Sequence, residues 1–188
     1  MKILLASKSP RRIEILSQLI GDKFVSKGSE CEESFVGKTP EDTVLEIAYR
    51  KLTGVQNPEK YDVIISCDTL VYRDGNYYGK PTSREDAANM LRELANKNHQ
   101  VYSGLVVKKG NKIIQEAVCS DVVFKNLKDS DIEYYLDNYE YMDKAGSYGI
   151  QDNMLVSGYS EEGFYNIMGM PKDELKDILV RFGIVDEK

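Results

Sequence analysis

Near the start of the chain, Ile3-Leu4-Leu5-Ala6 runs into Ser7-Lys8-Ser9-Pro10-Arg11-Arg12 and then into an apolar helical repeat. Nothing else in the sequence restricts the fold as much. The apolar run suffices for one buried strand. Beyond the loop, Ile13, Leu16 and Ile20 recur at helical spacing with Ile15 and Leu19 beside them, which predicts an amphipathic helix. Ser9 is placed to cap it, Pro10 suits its first turn and Gly21 can end it. The stretch is therefore a strand, a tight loop and a helix N-terminus that carries two arginines. Cations are unfavourable there, because the helix start already bears partial positive charge. A bound anion would resolve the conflict, since free backbone N–H groups and guanidinium forks both suit phosphate. Pairing of the arginines with nearby carboxylates would resolve it equally well.

The following segments supply further charges in odd places. Glu30-Cys31-Glu32-Glu33 reads as a solvated acidic loop or as a source of carboxylate for a divalent cation. Thr39-Pro40-Glu41-Asp42 starts a helix that should run to about Thr53. Its stripe of Val44, Ile47 and Ala48 places Lys51 on the apolar side, where snorkelling to the edge is the commoner outcome. Tyr61 to Tyr72 reads as a central strand with Asp68 inside it. A carboxylate there is costly to bury unless it ends the strand or meets a cation. Ligand sites of open α/β sheets lie at the carboxyl ends of strands, so Asp68 is the best single candidate for catalysis or metal binding. Cys67 beside it reads as a small buried hydrophobe.

Asp74-Gly75-Asn76 predicts a hairpin turn, followed by a return strand at Tyr77-Tyr78 and the fixed lysine of Gly79-Lys80-Pro81. A helix capped by Thr82 or Ser83, strands at Val101–Val107 and Ile113–Phe124, and a helix behind a capping box at Ser130–Glu133 come next. His99, the only histidine, reads as structural. Asp143-Lys144-Ala145-Gly146-Ser147-Tyr148-Gly149-Ile150-Gln151 has no regular period, and its glycines allow sharp turns or close approach of a ligand. Met154-Leu155-Val156 and Phe164–Met168 are expected to form a hairpin, and a last helix carries Leu175, Ile178, Leu179 and Phe182. The order of elements predicts an α/β fold with a mixed sheet. Neither a P-loop nor a dinucleotide fingerprint is present.

Composition narrows the function classes. A length of 188 residues suits one domain, or one domain with two lobes. The net charge of −6 argues against a sequence-independent nucleic-acid binder. Three cysteines without a C-x-x-C argue against a disulfide framework or structural zinc. With no signal peptide and no long apolar run, a cytoplasmic protein with no membrane contact is expected.

Three separated motifs stand together in this chain. They are Ser7-x-Ser9-Pro10-Arg11-Arg12, Asp68-Thr69 with Gly79-Lys80-Pro81, and Asp143-Lys144-Ala145-Gly146-x-Tyr148-Gly149-Ile150-Gln151. Their order and spacing closely resemble the Maf family of nucleoside triphosphate pyrophosphatases, over essentially the whole chain to Met168-Gly169-Met170-Pro171. The resemblance implies a single domain over 1–188, elongated and two-lobed around a cleft like that of inosine triphosphate pyrophosphatases. It implies hydrolysis of a nucleoside triphosphate to monophosphate and pyrophosphate, a divalent Mg²⁺ or Mn²⁺, and commonly a homodimer. Arg12, Thr69 and the run ending at Gln151 resemble the branch acting on dTTP and UTP. Asp68 matches the proton acceptor and Glu33 a carboxylate that, with Asp68, helps bind metal. Ser7, Arg11, Arg12, Lys51 and Lys80 match positions around the triphosphate, and Thr69 and Gln151 match positions linked to base choice. Cys67 departs from the usual alanine. The alternative is a nucleotide-binding regulator of cell division that acts through a protein partner. A pyrophosphatase for deaminated purine nucleotides is disfavoured by the Ser-Pro-Arg-Arg loop and by Gln151.

Overall fold

The structure, a computed structural model, describes residues 1–29, 31, 34 and 39–187. In chain order its strands and helices are β1 (Ile3–Leu5), α1 (Pro10–Ile20), β2 (Phe24–Ser26), α2 (Pro40–Thr53), β3 (Val63–Arg73) and β4 (Asn76–Tyr78). Then follow α3 (Arg84–Leu94), β5 (Asn98–Lys109), β6 (Lys112–Phe124), α4 (Asp129–Asn138), β7 (Val156–Tyr159), α5 (Phe164–Met168) and α6 (Lys172–Arg181). The strands form one seven-stranded sheet in the order β2-β1-β3-β5-β6-β7, with β4 paired to β3. Strands β2, β1 and β3 are parallel, whereas β4 on β3 and β7 on β6 are antiparallel. The expected mixed α/β sheet is what forms. No described helix is long and apolar enough to cross a membrane.

The chain divides into two compact units, and β3, β5 and β6 contribute residues to both. The first comprises Met1–Asp68, Ser103–Val118 and Gly169–Lys188. Its core packs Leu4, Ala6, Ile64 and Val106 of the sheet against Ala48 and Leu52 of α2. Burial of such side chains does most to hold α2 down, at roughly 1.5–3 kcal/mol for each large one. Gly104 of β5 sets how close that helix lies: a Cβ there would sit 2.4 Å from the Val44 backbone. Thr39 caps α2 by accepting the Asp42 N–H at 3.1 Å. Helix α6 is tied to α1 through Lys172 and Gln18 at 2.7 Å.

The second unit comprises Thr69–Tyr102 and Cys119–Met168. Asp74 and Gly75 both take positive φ, 48° and 87°, which makes the expected two-residue hairpin turn a type I′. Ser83, rather than Thr82, caps α3 through the Asp86 N–H. His99 lies inside β5, not before it, and is fully buried against Phe124 and Tyr148 at ring-centroid distances of 4.9 and 5.5 Å.

Several expectations need correction. The capping box of α4 sits two residues earlier, with the Asp131 carboxylate accepting the Lys128 N–H at 2.8 Å. The Phe164–Met168 run is a helix, and Val156–Tyr159 pairs with β6 instead. A short apolar run cannot by itself distinguish strand from helix. Here Asn166 decides, because its amide donates to the Val101 carbonyl and to Ser120 Oγ from a buried position that a helical turn provides. Strand β2, three residues long, was too short to register as a strand in the sequence.

Candidate active site

Strand β1 has a parallel neighbour on each side, β2 reached through α1 and β3 reached through α2. The chain steps from β1 to β2 on one side and then returns past β1 to β3 on the other, and right-handed crossovers in these opposite directions place α1 and α2 on opposite faces. The carboxyl ends of β1 and β3 border the resulting switch point, where open α/β sheets take their ligands. Leu5 pairs with Ile65, so the same register carried past the end of β1 brings Ser7 level with Cys67. The Ser7–Arg12 loop therefore springs from the same end of the sheet at which Asp68 lies in β3.

The loop is folded on itself. Ser7 is buried, its Oγ accepts the Ser9 N–H at 3.1 Å, and its carbonyl accepts from Ser26 Oγ at 2.5 Å. Ser9 does not cap α1 with its side chain; its carbonyl instead takes the Ile13 N–H at 3.0 Å. The first turn of α1 holds no acid. Arg12 Nε donates to the Gly169 carbonyl at 2.9 Å, which anchors that guanidinium by one edge. The same carbonyl lies 3.4 Å from Cys67 Sγ, so the fully buried Cys67 behaves as the small core residue expected. Arg11 is half-buried beside it in sequence.

Across the sheet from Cys67, Ile64, Ser66 and Asp68 face α2, as strand alternation requires. Ser66 Oγ donates to the Ala48 carbonyl at 2.8 Å. Lys51 Nζ and Asp68 Oδ1 form an ion pair at 2.6 Å, with the two side chains only 8% and 10% exposed. Snorkelling of Lys51 is thereby overturned: its ammonium turns inward because a buried carboxylate waits there. Lys51 thus holds the Asp68 carboxylate by Oδ1.

The remaining candidates lie in the second unit. Thr69 follows Asp68 in β3 and is half-buried on the opposite face. Lys80 and Gln151 are exposed. Two of the motif loops meet here, since the Gly146 N–H donates to the Gly79 carbonyl at 3.0 Å. Gly146 takes φ +68°, and a Cβ on it would lie 2.9 Å from Val71 Cγ2, so this turn admits no side chain without strain. Tyr148 Oη and His99 Nε2 lie 2.7 Å apart in the interior. Burial, with a smaller contribution from Arg73, lowers His99 to about 4, so it stays neutral and structural, as expected. Sequence reasoning missed the partners of this loop, Tyr135 above all, because a tyrosine on an amphipathic helix carries no sign of what its hydroxyl meets.

Glu33 lies outside the described residues. Among the described residues no three His, Cys, Asp or Glu gather into a metal cluster. A hard cation that keeps waters and phosphate oxygens needs only one or two protein carboxylates, and Asp68 offers one. The donor set fits such an ion.

Fold and site together define an open-sheet α/β protein that presents cations and one buried carboxylate at its switch point. The chain belongs to the Maf family: residues 2–182 match the model for Maf-like protein. A dTTP/UTP pyrophosphatase of Pyrococcus furiosus is 39% identical over 171 residues, covering 90% of each chain. One from Latilactobacillus sakei is 40% identical over 169 residues, covering 89% of this chain and 93% of that protein. The solved structure of a HAM1 protein from Coxiella burnetii shares the fold, with a TM-score of 0.55 at 12% identity over 96% of this chain and 99% of that one.

Proposed function

We propose that this protein is a nucleoside triphosphate pyrophosphatase that hydrolyses dTTP and UTP to monophosphate and pyrophosphate, clearing the nucleotide pool. The observation that carries the reading is the buried Lys51–Asp68 pair, at the end of the sheet from which the Ser7–Arg12 loop springs. The names of the relatives support the substrates.

In this reading Asp68 Oδ2 accepts a proton from the attacking water. The water oxygen bonds to phosphorus as the α–β anhydride bond breaks, and pyrophosphate leaves. Lys51 orients the carboxylate and shares its charge with the phosphates. Arg11, Arg12 and Lys80 offset negative charge growing on the leaving group, and charge stabilisation of this kind supplies most of the catalysis in such transfers. Ser7 contributes its place at the turn, where backbone N–H groups face the anion. Thr69 and Gln151 read the base, since an amide both donates and accepts against the N3–H and carbonyl edge of uracil or thymine. Mg²⁺ or Mn²⁺ held by Asp68 and Glu33 would supply charge neutralisation and an acidified water. Cys31, Cys67 and Cys119, which stand as thiols, suit a reducing cytoplasm. A homodimer is the proposed assembly, with no membrane or nucleic-acid polymer as partner.

The test is a screen of common and modified triphosphates with Mg²⁺ or Mn²⁺, with products resolved by chromatography. Monophosphate plus pyrophosphate from dTTP and UTP, lost in Asp68→Asn, is expected. Orthophosphate release, or no turnover by folded protein, overturns the reading.

A further inference from the structure

The turn that presents Gln151 is gripped by one phenol from another helix. Tyr135 of α4 is fully buried, and its ring stacks on Tyr139 with centroids 4.9 Å apart. Its hydroxyl donates to Asp152 Oδ2 at 2.5 Å and accepts the Gly149 N–H at 2.9 Å. These bonds hold the chain on both sides of Ile150-Gln151. Ile150 is buried and Gln151 exposed, so the turn is anchored from within while the amide is displayed. Burial and the hydrogen bond to Asp152 raise the Tyr135 phenol above its ordinary value, which keeps it a protonated donor.

Gly149 completes the arrangement. Its φ of −111° is open to any residue, so glycine is not required for conformation. It is required for room: a Cβ there would lie 2.7 Å from Asp152 Oδ2 and 3.1 Å from Gln151 Oε1. The short aspartate side chain cannot retreat from such a contact and keep its bond to Tyr135.

We propose that Tyr135 and Asp152 are positioning residues for nucleotide choice, holding the Gly149–Asp152 turn so that the Gln151 amide meets the pyrimidine edge in one orientation. The inference rests on the proposed reading of Gln151 as a base reader. Uracil offers N3–H as a donor between two carbonyls, whereas cytosine offers an N3 acceptor beside an amino group. A fixed amide distinguishes these patterns. An amide on a loosened turn rotates and serves both.

The experiment measures kcat and KM for UTP and CTP with wild-type enzyme, Tyr135→Phe, Gly149→Ala and Gln151→Ala. Tyr135→Phe keeps the ring and its stacking but loses both bonds, and so tests the grip alone; Gly149→Ala crowds Asp152 and the Gln151 amide together. In both, the UTP-to-CTP ratio of kcat/KM is expected to fall about tenfold, chiefly through a higher KM for UTP. A purely structural role lowers the amount of active enzyme and moves both substrates alike, leaving the ratio intact. An unchanged ratio in folded Tyr135→Phe and Gly149→Ala overturns the inference. If Gln151→Ala alone shifts the ratio, only the positioning role fails. If Gln151→Ala keeps the wild-type ratio, the base-reading role fails and the inference with it. Should Tyr135→Phe not fold, the half-buried Asp152→Asn carries the same comparison.

Discussion

Asp68 and Lys51 are each anomalous alone, an acid inside an apolar strand and a lysine on an apolar helical face. The sequence therefore marked both. It could not show their bond, which depends on α2 lying across β3 and on the depth to which that burial takes the ammonium. Removing one partner leaves the other buried and unpaired. Lys51→Met is expected to lower stability by about 3 kcal/mol, and Lys51→Met with Asp68→Asn to recover part of it. Urea denaturation of the four proteins in that cycle checks this. His99 gives a second residue-scale expectation. Its folded value of about 4 lies below the ordinary 6.5, so the unfolded chain binds the extra proton. Stability is fully present above pH 6.5, declines as pH falls towards 4, and levels off below, for a total of about 3 kcal/mol. Urea midpoints at pH 7, 5.5 and 4.5 should show this decline, and His99→Gln should flatten it.

At the scale of elements, local chemistry was the most legible part of the sequence. The Thr39 cap, the Asp74-Gly75 turn and the end of α2 at Gly54 all follow from residues whose effects act within a few positions. What failed was decided at longer range. Helix α5 looked like a strand until the buried contacts of Asn166 were known, and Ser9 takes the cap position of α1 without the side-chain bond expected of it. Gly104 shows the same dependence, since nothing around it in sequence reveals that the backbone of Val44 lies above it. Gly104→Ala is expected to push α2 off the sheet and cost about 3 kcal/mol, read as a fall in thermal midpoint. Because Lys51 rides on that helix, kcat should fall in the same variant even at temperatures where it remains folded.

For the whole molecule, the motifs specified the family because they kept both order and spacing along the chain, while the distribution of their residues between the two units was visible only in three dimensions. Ser7, Arg11, Arg12, Lys51 and Asp68 belong to the first unit, and Thr69, Lys80 and Gln151 to the second. A substrate of the proposed activity binds the native state alone. With Asp68→Asn to prevent turnover, dTTP with Mg²⁺ at about a hundredfold Kd should stabilise the chain by about 2.7 kcal/mol. That corresponds to a rise of roughly 5–10 °C in Tm for a chain of this size, measured by scanning calorimetry. The division between units falls on the peptide bond joining Asp68 to Thr69. Heredity can act on such a seam. In the proposed reading, substitutions gathered in Thr69–Tyr102 and Cys119–Met168 retune which base is accepted while Asp68 and Lys51 descend unaltered, so that one ancestral reaction can diversify into lineages with different nucleotide diets.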